Sequence, residues 1–189
     1  MKKEQPLIPS QKETREILDK YQVPPHIVLH SEMVRRVALF IAASLTEAGI
    51  SLNMAAIDSA SLLHDLCKID SIQSGEDHTL LAQEELFRMG YFFIGEIVGQ
   101  HVRLKTLEIN EAMVVNYADK RVMHDRIVSL SERFDDLMIR YGTDDFRRER
   151  IRRHYQDMQK VESIIATYCK DLAGLNDLTS VTGDQHLHA

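Results

Sequence analysis

The segment SLLHDLCKID, residues 61–70, places His64, Asp65 and Lys68 within five positions of an otherwise apolar run. On a helix, residues three and four apart share one side, so the spacing predicts these three side chains on a common face. An Asp–Lys ion pair beside a satisfied core histidine is one reading. Half of a metal site is the other, and it needs ligands from elsewhere in the chain. His30 precedes Val34, Val37 and Ile41 at steps of four, three and four. His64 follows Ile57, Ala60 and Leu63, His78 leads Ala82 and Leu86, and His101 follows Ile94, Ile97 and Val98. Asp119 extends Ala112 and Val115. Each of the five falls on the apolar stripe of a separate helix. A carboxylate buried without compensation costs several kcal/mol or is neutralised, and a divalent cation is an economical way to satisfy such a cluster. Imidazole and carboxylate ligands suit Mn, Fe, Co or Zn, and a mixed set with open positions suits metal-assisted hydrolysis.

The other histidines lack that placement. His26 follows two prolines and reads as a turn residue, while His124 and His154 lie in charged stretches and are expected to be solvated. His186 and His188 belong to a terminal tail, which gives a ligand little preorganisation.

The elements that must position these residues are helical. Ser10 with Glu13 reads as a capping box opening a helix over QKETREILDKYQ, broken by the prolines of VPP at 23–25. A longer helix follows from about His26 to Ala48 and ends at Gly49, and Asn53 is the N-cap of the helix that carries the opening motif. DSIQSGED reads as a polar loop, followed by a helix from His78 to Met89 and a short one over FFIGEIVGQHV. Beyond a polar link at 103–108, Met123, Ile127, Leu130, Phe134 and Leu137 recur at helical steps, the pattern of one packed helix face. A heavily charged helix at about 145–171 closes the chain. The prediction is an all-α, compact, single-domain bundle of about seven or eight helices. Residues 1–24 are the lead-in, 25–142 the core, 143–172 the charged helix on the same domain, and 173–189 a flexible tail.

Composition agrees with one soluble domain: 189 residues, 44% hydrophobic, 28% charged, and only four prolines and eight glycines. A net charge of −6 offers no overall electrostatic match to nucleic acid or an anionic membrane. Cys67 and Cys169 are too few and too apolar in setting for a disulfide framework. With no signal-like or spanning segment in view, a cytoplasmic location is expected.

The succession HSEMV (His30), LLHDLCK (His64, Asp65), DHTLLAQEEL (His78), IVGQHV (His101) and NYADKRV (Asp119) resembles the HD-domain metal-dependent phosphohydrolases, over roughly residues 24–142. The resemblance implies a compact all-α bundle in which His30, His64, Asp65 and Asp119 hold one metal. His78 and His101 match the members that carry two, with Asp65 bridging the pair. The implied cofactor is therefore one or two divalent metals (Fe, Mn, Co or Zn, with Mg also admissible). Lys68 matches a lysine that meets the substrate phosphate. GQHV departs from the two-metal branches that carry a His-His pair, which argues against their cyclic-dinucleotide specificity. The expected activity is hydrolysis of a phosphoester or phosphoanhydride bond in a small nucleotide-like substrate by metal-activated water, with Asp65 and Lys68 as the catalytic residues. Arg103, Lys105 and Arg121 are candidates for further phosphate contacts, against a reading as solvated charges. The competing expectation is an HD-like ligand-sensing or interaction module with a structural metal or none, its charged last helix serving as a partner or homodimer surface.

Overall fold

The computed structural model describes residues 5–169 together with 172, 174, 175 and 178; the expectations for His186 and His188 lie outside these. Among the described residues there are nine helices and one two-stranded ladder, so the all-α class holds. They run as α1 (Gln11–Lys20), α2 (Pro25–Glu47), α3 (Met54–Leu63), α4 (Lys68–Ser74), α5 (His78–Arg88), α6 (Phe92–Val98) and α7 (Glu111–Lys120). The hairpin β1 (Val122–Met123) and β2 (Arg126–Ile127) follows, then α8 (Leu130–Tyr141) and α9 (Asp145–Tyr168).

The local chemistry explains most boundaries. Ser10 and Glu13 form the capping box of α1, Pro25 occupies the first turn of α2, and Asn53 accepts from the Ala56 amide to open α3. Asp77 and Asn110 cap α5 and α7 in the same way, which fixes where His78 and Asp119 fall.

Three expectations need correction. The apolar run around the His–Asp pair is not one helix: residues 64–67 form a turn closed by Leu66 N–H to the Leu63 carbonyl and Lys68 N–H to the Asp65 carbonyl, both at 3.1 Å. His64 and Asp65 thus leave the end of α3 while Lys68 begins α4. Secondly, part of the polar segment DSIQSGED is helical, since α4 runs to Ser74 and stops at Gly75, whose φ of 78° favours glycine. Thirdly, Met123 and Ile127 lie on the hairpin, not on a helix with Leu130 and Phe134; the capping box of Ser129 and Glu132 starts α8 afresh.

The core centres on α2, which packs chiefly on α3 and α7. Val34, Val37, Ile41 and Leu45 of α2 are fully buried against Ile57, Leu63, Met113 and Val115. Each such side chain contributes about 1.5–3 kcal/mol through removal from water. α7 is buried along nearly its whole length, from Ala112 to Lys120, as befits a helix enclosed by neighbours. α9 contributes Met158, Val161 and Ile165 to the same core, and Leu175 beyond it is fully buried. Among the described residues no helix is long and apolar enough to cross a membrane.

Candidate metal centre

Four helix ends meet the flank of α2 at one point. His30 comes from the second turn of α2, and His64 with Asp65 from the end of α3. His78 is the first residue of α5, His101 lies just past α6, and Asp119 sits in the last turn of α7. The approach of α6 to α5 depends on Gly95, where a Cβ would come within 2.7 Å of the Phe87 ring and 3.1 Å of the Gln83 carbonyl oxygen. His64 and His101 are 0% and 1% exposed. Asp65 and Asp119 are also buried.

The histidines are oriented from behind by the main chain. Nδ1 of His30, His64 and His101 lies 2.8 Å from the carbonyl oxygens of His124, Ser61 and Val98 respectively. A carbonyl can only accept, so in each ring Nδ1 carries the proton and Nε2 presents its lone pair inward. This is the arrangement by which an outer hydrogen bond fixes the tautomer of a metal-binding imidazole.

The inward atoms form two triads that share Asp65: His30, His64 and Asp65, and Asp65, His78 and His101, each with ligand atoms within 4.8 Å of one another. Asp65 divides its oxygens between them. Oδ2 lies 3.6 Å from His64 Nε2, while Oδ1 lies 3.5 Å from both His78 Nε2 and His101 Nε2. Asp119 Oδ1 faces the first group, 3.1 Å from His30 Nε2 and 3.7 Å from His64 Nε2. Metal bonds near 2.1 Å separate neighbouring ligand atoms by about 3.0–3.4 Å, close to this spacing. The His64 Nε2 is buried and has no hydrogen-bond partner, and the Nε2 of His78 and His101 face each other at 3.0 Å. Lone pairs held this close to one another and to carboxylate oxygens repel unless protons or cations lie among them, so the donor set fits one or two divalent ions.

Charge balance in the metal-free cluster follows from burial against pairing. Burial opposes ionisation of Asp65, but His64, His101 and Lys68 outweigh it and hold the carboxyl well below its usual range. Asp119 behaves likewise through Lys120, His30 and His64. His64 is disfavoured as a cation by burial, yet the two carboxylates push its pKa up. For His78, burial and the neighbouring His101 lower the pKa to about 4. His101 is lowered too, by burial first.

Lys68 donates to Asp65 Oδ2 at 2.6 Å, and its side chain is 39% exposed, so it stands at the rim of the cluster. Burial lowers its pKa, but Asp65 and Asp119 more than compensate and keep it protonated. The other three candidate phosphate contacts stand apart from it. Arg121 is buried, with Nε on the Val128 carbonyl and Nη1 on the Tyr117 hydroxyl at 2.8 Å each, a strut for the hairpin. Lys105 pairs with Glu96 at the surface, and Arg103 is exposed and affects His154.

Lys120 and Asn116 escaped the sequence reading. Lys120 Nζ pairs with Asp119 Oδ2 and reaches the His101 carbonyl at 3.3 Å. Asn116 Nδ2 donates to the carbonyls of Gln100 and His101 at 2.9 and 3.0 Å. Both lie on α7 at a step of four, and the one available signal was polar residues inside the apolar run AMVVNYA and at its edge. His124 is exposed as expected, but its carbonyl orients His30. His154, expected to be solvated, packs its ring 5.3 Å from that of Phe134, with Nε2 buried and unpaired. Comparisons of the chain with protein-family models, curated proteins and solved structures returned no match.

Proposed function

We propose that this protein is a metal-dependent phosphohydrolase of the HD-domain type, cleaving a phosphoester or phosphoanhydride bond in a small nucleotide-like substrate. The observation that carries the reading is the convergence of carbonyl-oriented histidine Nε2 atoms on a carboxylate whose two oxygens are split between two triads. His30, His64, Asp65 and Asp119 would hold one ion, and His78, His101 and Asp65 the other. Ions bound there would supply Lewis acidity, bringing the pKa of a coordinated water toward neutrality and withdrawing charge from phosphoryl oxygens. The chain itself contributes orientation and charge. Asp65, fixed on both sides, aligns the two halves of the centre. Lys68 keeps its proton and stands at the rim, where swinging from Asp65 to a phosphoryl oxygen would offset negative charge developing in the transition state. The buried walls around His64 and His101 keep bulk water from weakening these interactions.

The test is metal content by elemental analysis on tag-free protein purified without chelator and without oxygen, followed by a hydrolysis screen of nucleotides and other phosphate esters. Roughly two ions per chain are expected, one for each triad. Asp65→Ala should lose both metal and activity while remaining folded. Failure to bind any ion after adding back Mn or Fe would overturn the reading.

A further inference from the structure

Lys120, the last residue of α7, is a buried lysine that the hydrolytic reading leaves without a part; its side chain is only 6% exposed. Lysine is almost never fully buried unless it is paired. Its Nζ donates to Asp119 Oδ2 and lies 3.3 Å from the His101 carbonyl oxygen. Stability is a poor explanation for such a pair, because replacing a buried ion pair by apolar groups of like volume is often neutral or stabilising. The pair is better explained by what it does to Asp119.

The two oxygens of Asp119 have different partners. Oδ1 points into the first triad, 3.1 Å from His30 Nε2 and 3.7 Å from His64 Nε2. Oδ2 is taken by Lys120. For both oxygens to turn to one ion, the carboxylate would have to abandon an ammonium group enclosed in the core, and an uncompensated buried charge is strongly unfavourable. Lys68 differs in this respect. It too holds a carboxylate oxygen, Asp65 Oδ2 at 2.6 Å, but its side chain is 39% exposed and water can receive it. Lys120 has no such exit. Its second acceptor is also fixed, since the His101 carbonyl receives Asn116 Nδ2 at 3.0 Å. The carboxylate that faces one triad is thus pinned to the main chain that carries a histidine of the other.

We propose that Lys120 is a positioning residue that confines Asp119 to a single-oxygen contact with the first ion, and so keeps a coordination position there for water or a phosphoryl oxygen. This rests on the metal centre of the phosphohydrolase reading and adds to it a residue and the means by which the site stays open. Catalytic metal sites differ from structural ones in keeping an open position. With Asp119 held to Oδ1, His30, His64, Asp65 and Asp119 each offer the first ion one donor atom, which leaves room on an ion of octahedral preference such as Mn.

The experiment compares full-length wild type, Lys120→Met and Lys120→Arg, each loaded with Mn. Mn content, Mn affinity by chelator competition and water-proton relaxation per bound ion are measured; the relaxation reads the exchanging waters on Mn. Lys120→Met keeps the length and loses the donor, so Asp119 is free to offer both oxygens. It should hold Mn at least as tightly as wild type, relax water protons less per bound ion, and bind inorganic phosphate more weakly by calorimetry. Lys120→Arg, which keeps a cationic donor, should recover part of the relaxation. Should Lys120→Met not fold, Lys120→Leu carries the same expectation. The proposal is overturned if the apolar variant relaxes water protons as wild type does per bound ion. Weaker Mn binding with that unchanged relaxation would make Lys120 a strut of α7, as would failure of both apolar variants to fold. A wild type that takes up no Mn would instead sink the metal-centre reading, and this assignment with it. The relaxation does not depend on hydrolysis, so loss of the hydrolytic reading alone is told apart from loss of this one.

Discussion

His30 on α2 donates from Nδ1 to the carbonyl oxygen of His124 at 2.8 Å, across 94 positions of sequence. His124 occupies the hairpin tip with φ of 58°, a left-handed conformation that costs a residue bearing Cβ and suits glycine. The turn therefore aims a main-chain oxygen, and the side chain is incidental to that aim. His124→Gly should keep the carbonyl in place and leave metal affinity near that of wild type. His124→Val, β-branched, should strain the same backbone by roughly 1–2 kcal/mol and turn the carbonyl away. Loss of such an outer partner typically weakens metal binding about 10- to 100-fold. Competition with a chromophoric chelator checks both variants. If His124→Val holds Mn as tightly as His124→Gly, the carbonyl is not what orients His30.

Asn116 plays the corresponding part for His101, but with a side chain as donor to the 100–101 carbonyls. Asn116→Leu keeps the branched outline of the side chain, with bulkier ends, and removes both donations inside the core. Leaving these acceptors with weaker partners should cost about 1–3 kcal/mol of stability. Because the loosened turn carries His101, the variant should also lose part of its second metal equivalent. Urea unfolding of the metal-free protein reads the first effect and elemental analysis the second. Wild-type values in both would show that the turn after α6 holds itself.

The helical class and the inward set of His30, His64, His78, His101 and Asp119 were legible because each falls at helical steps from apolar residues, a period that a linear sequence displays directly, whereas Asp65 entered only through the family resemblance. What orients them was not. The partners of three Nδ1 atoms are main-chain carbonyls, and any residue type could have supplied them. The breaks at 64–67 and 121–129 were hidden for a different reason. Met123 and Ile127 fall four apart, as on a helix, yet in the hairpin Ile127 pairs with buried Val122 while Met123 pairs with Arg126 on the other face. The Ser129–Glu132 box was readable in the same terms as Ser10–Glu13, and would have separated α8 from α7. Arg121 and Arg133 show the limit most plainly. Both are arginines in a charged stretch, but only their partners, the Val128 carbonyl and Tyr117 hydroxyl for one and the Asp136 carboxylate for the other, distinguish a strut of the hairpin from an ion pair along α8.

His154 makes acid stability a measurable property of the α8–α9 contact. Burial lowers its pKa to about 4, and nearby Lys120 and Arg103 act in the same direction against Asp119 and Asp157. In the unfolded chain the ring titrates near its ordinary value of about 6.5. Above that value both states are neutral and the stability is fully present. As pH falls from about 6.5 toward 4, the unfolded chain takes up a proton that the folded chain refuses, so stability falls, and the loss levels off below the folded value. The whole effect amounts to about 3 kcal/mol. His154→Leu has a similar volume and removes the buried unpaired Nε2, so at pH 7 it should change stability by less than about 1.5 kcal/mol. At pH 4.5 the variant should be the more stable of the two. The comparison is made by urea unfolding of metal-free proteins at both pH values, where the histidines of the metal centre contribute equally to each chain and cancel. Parallel loss in wild type and His154→Leu would place the acid sensitivity in the metal centre and not in the α8–α9 contact.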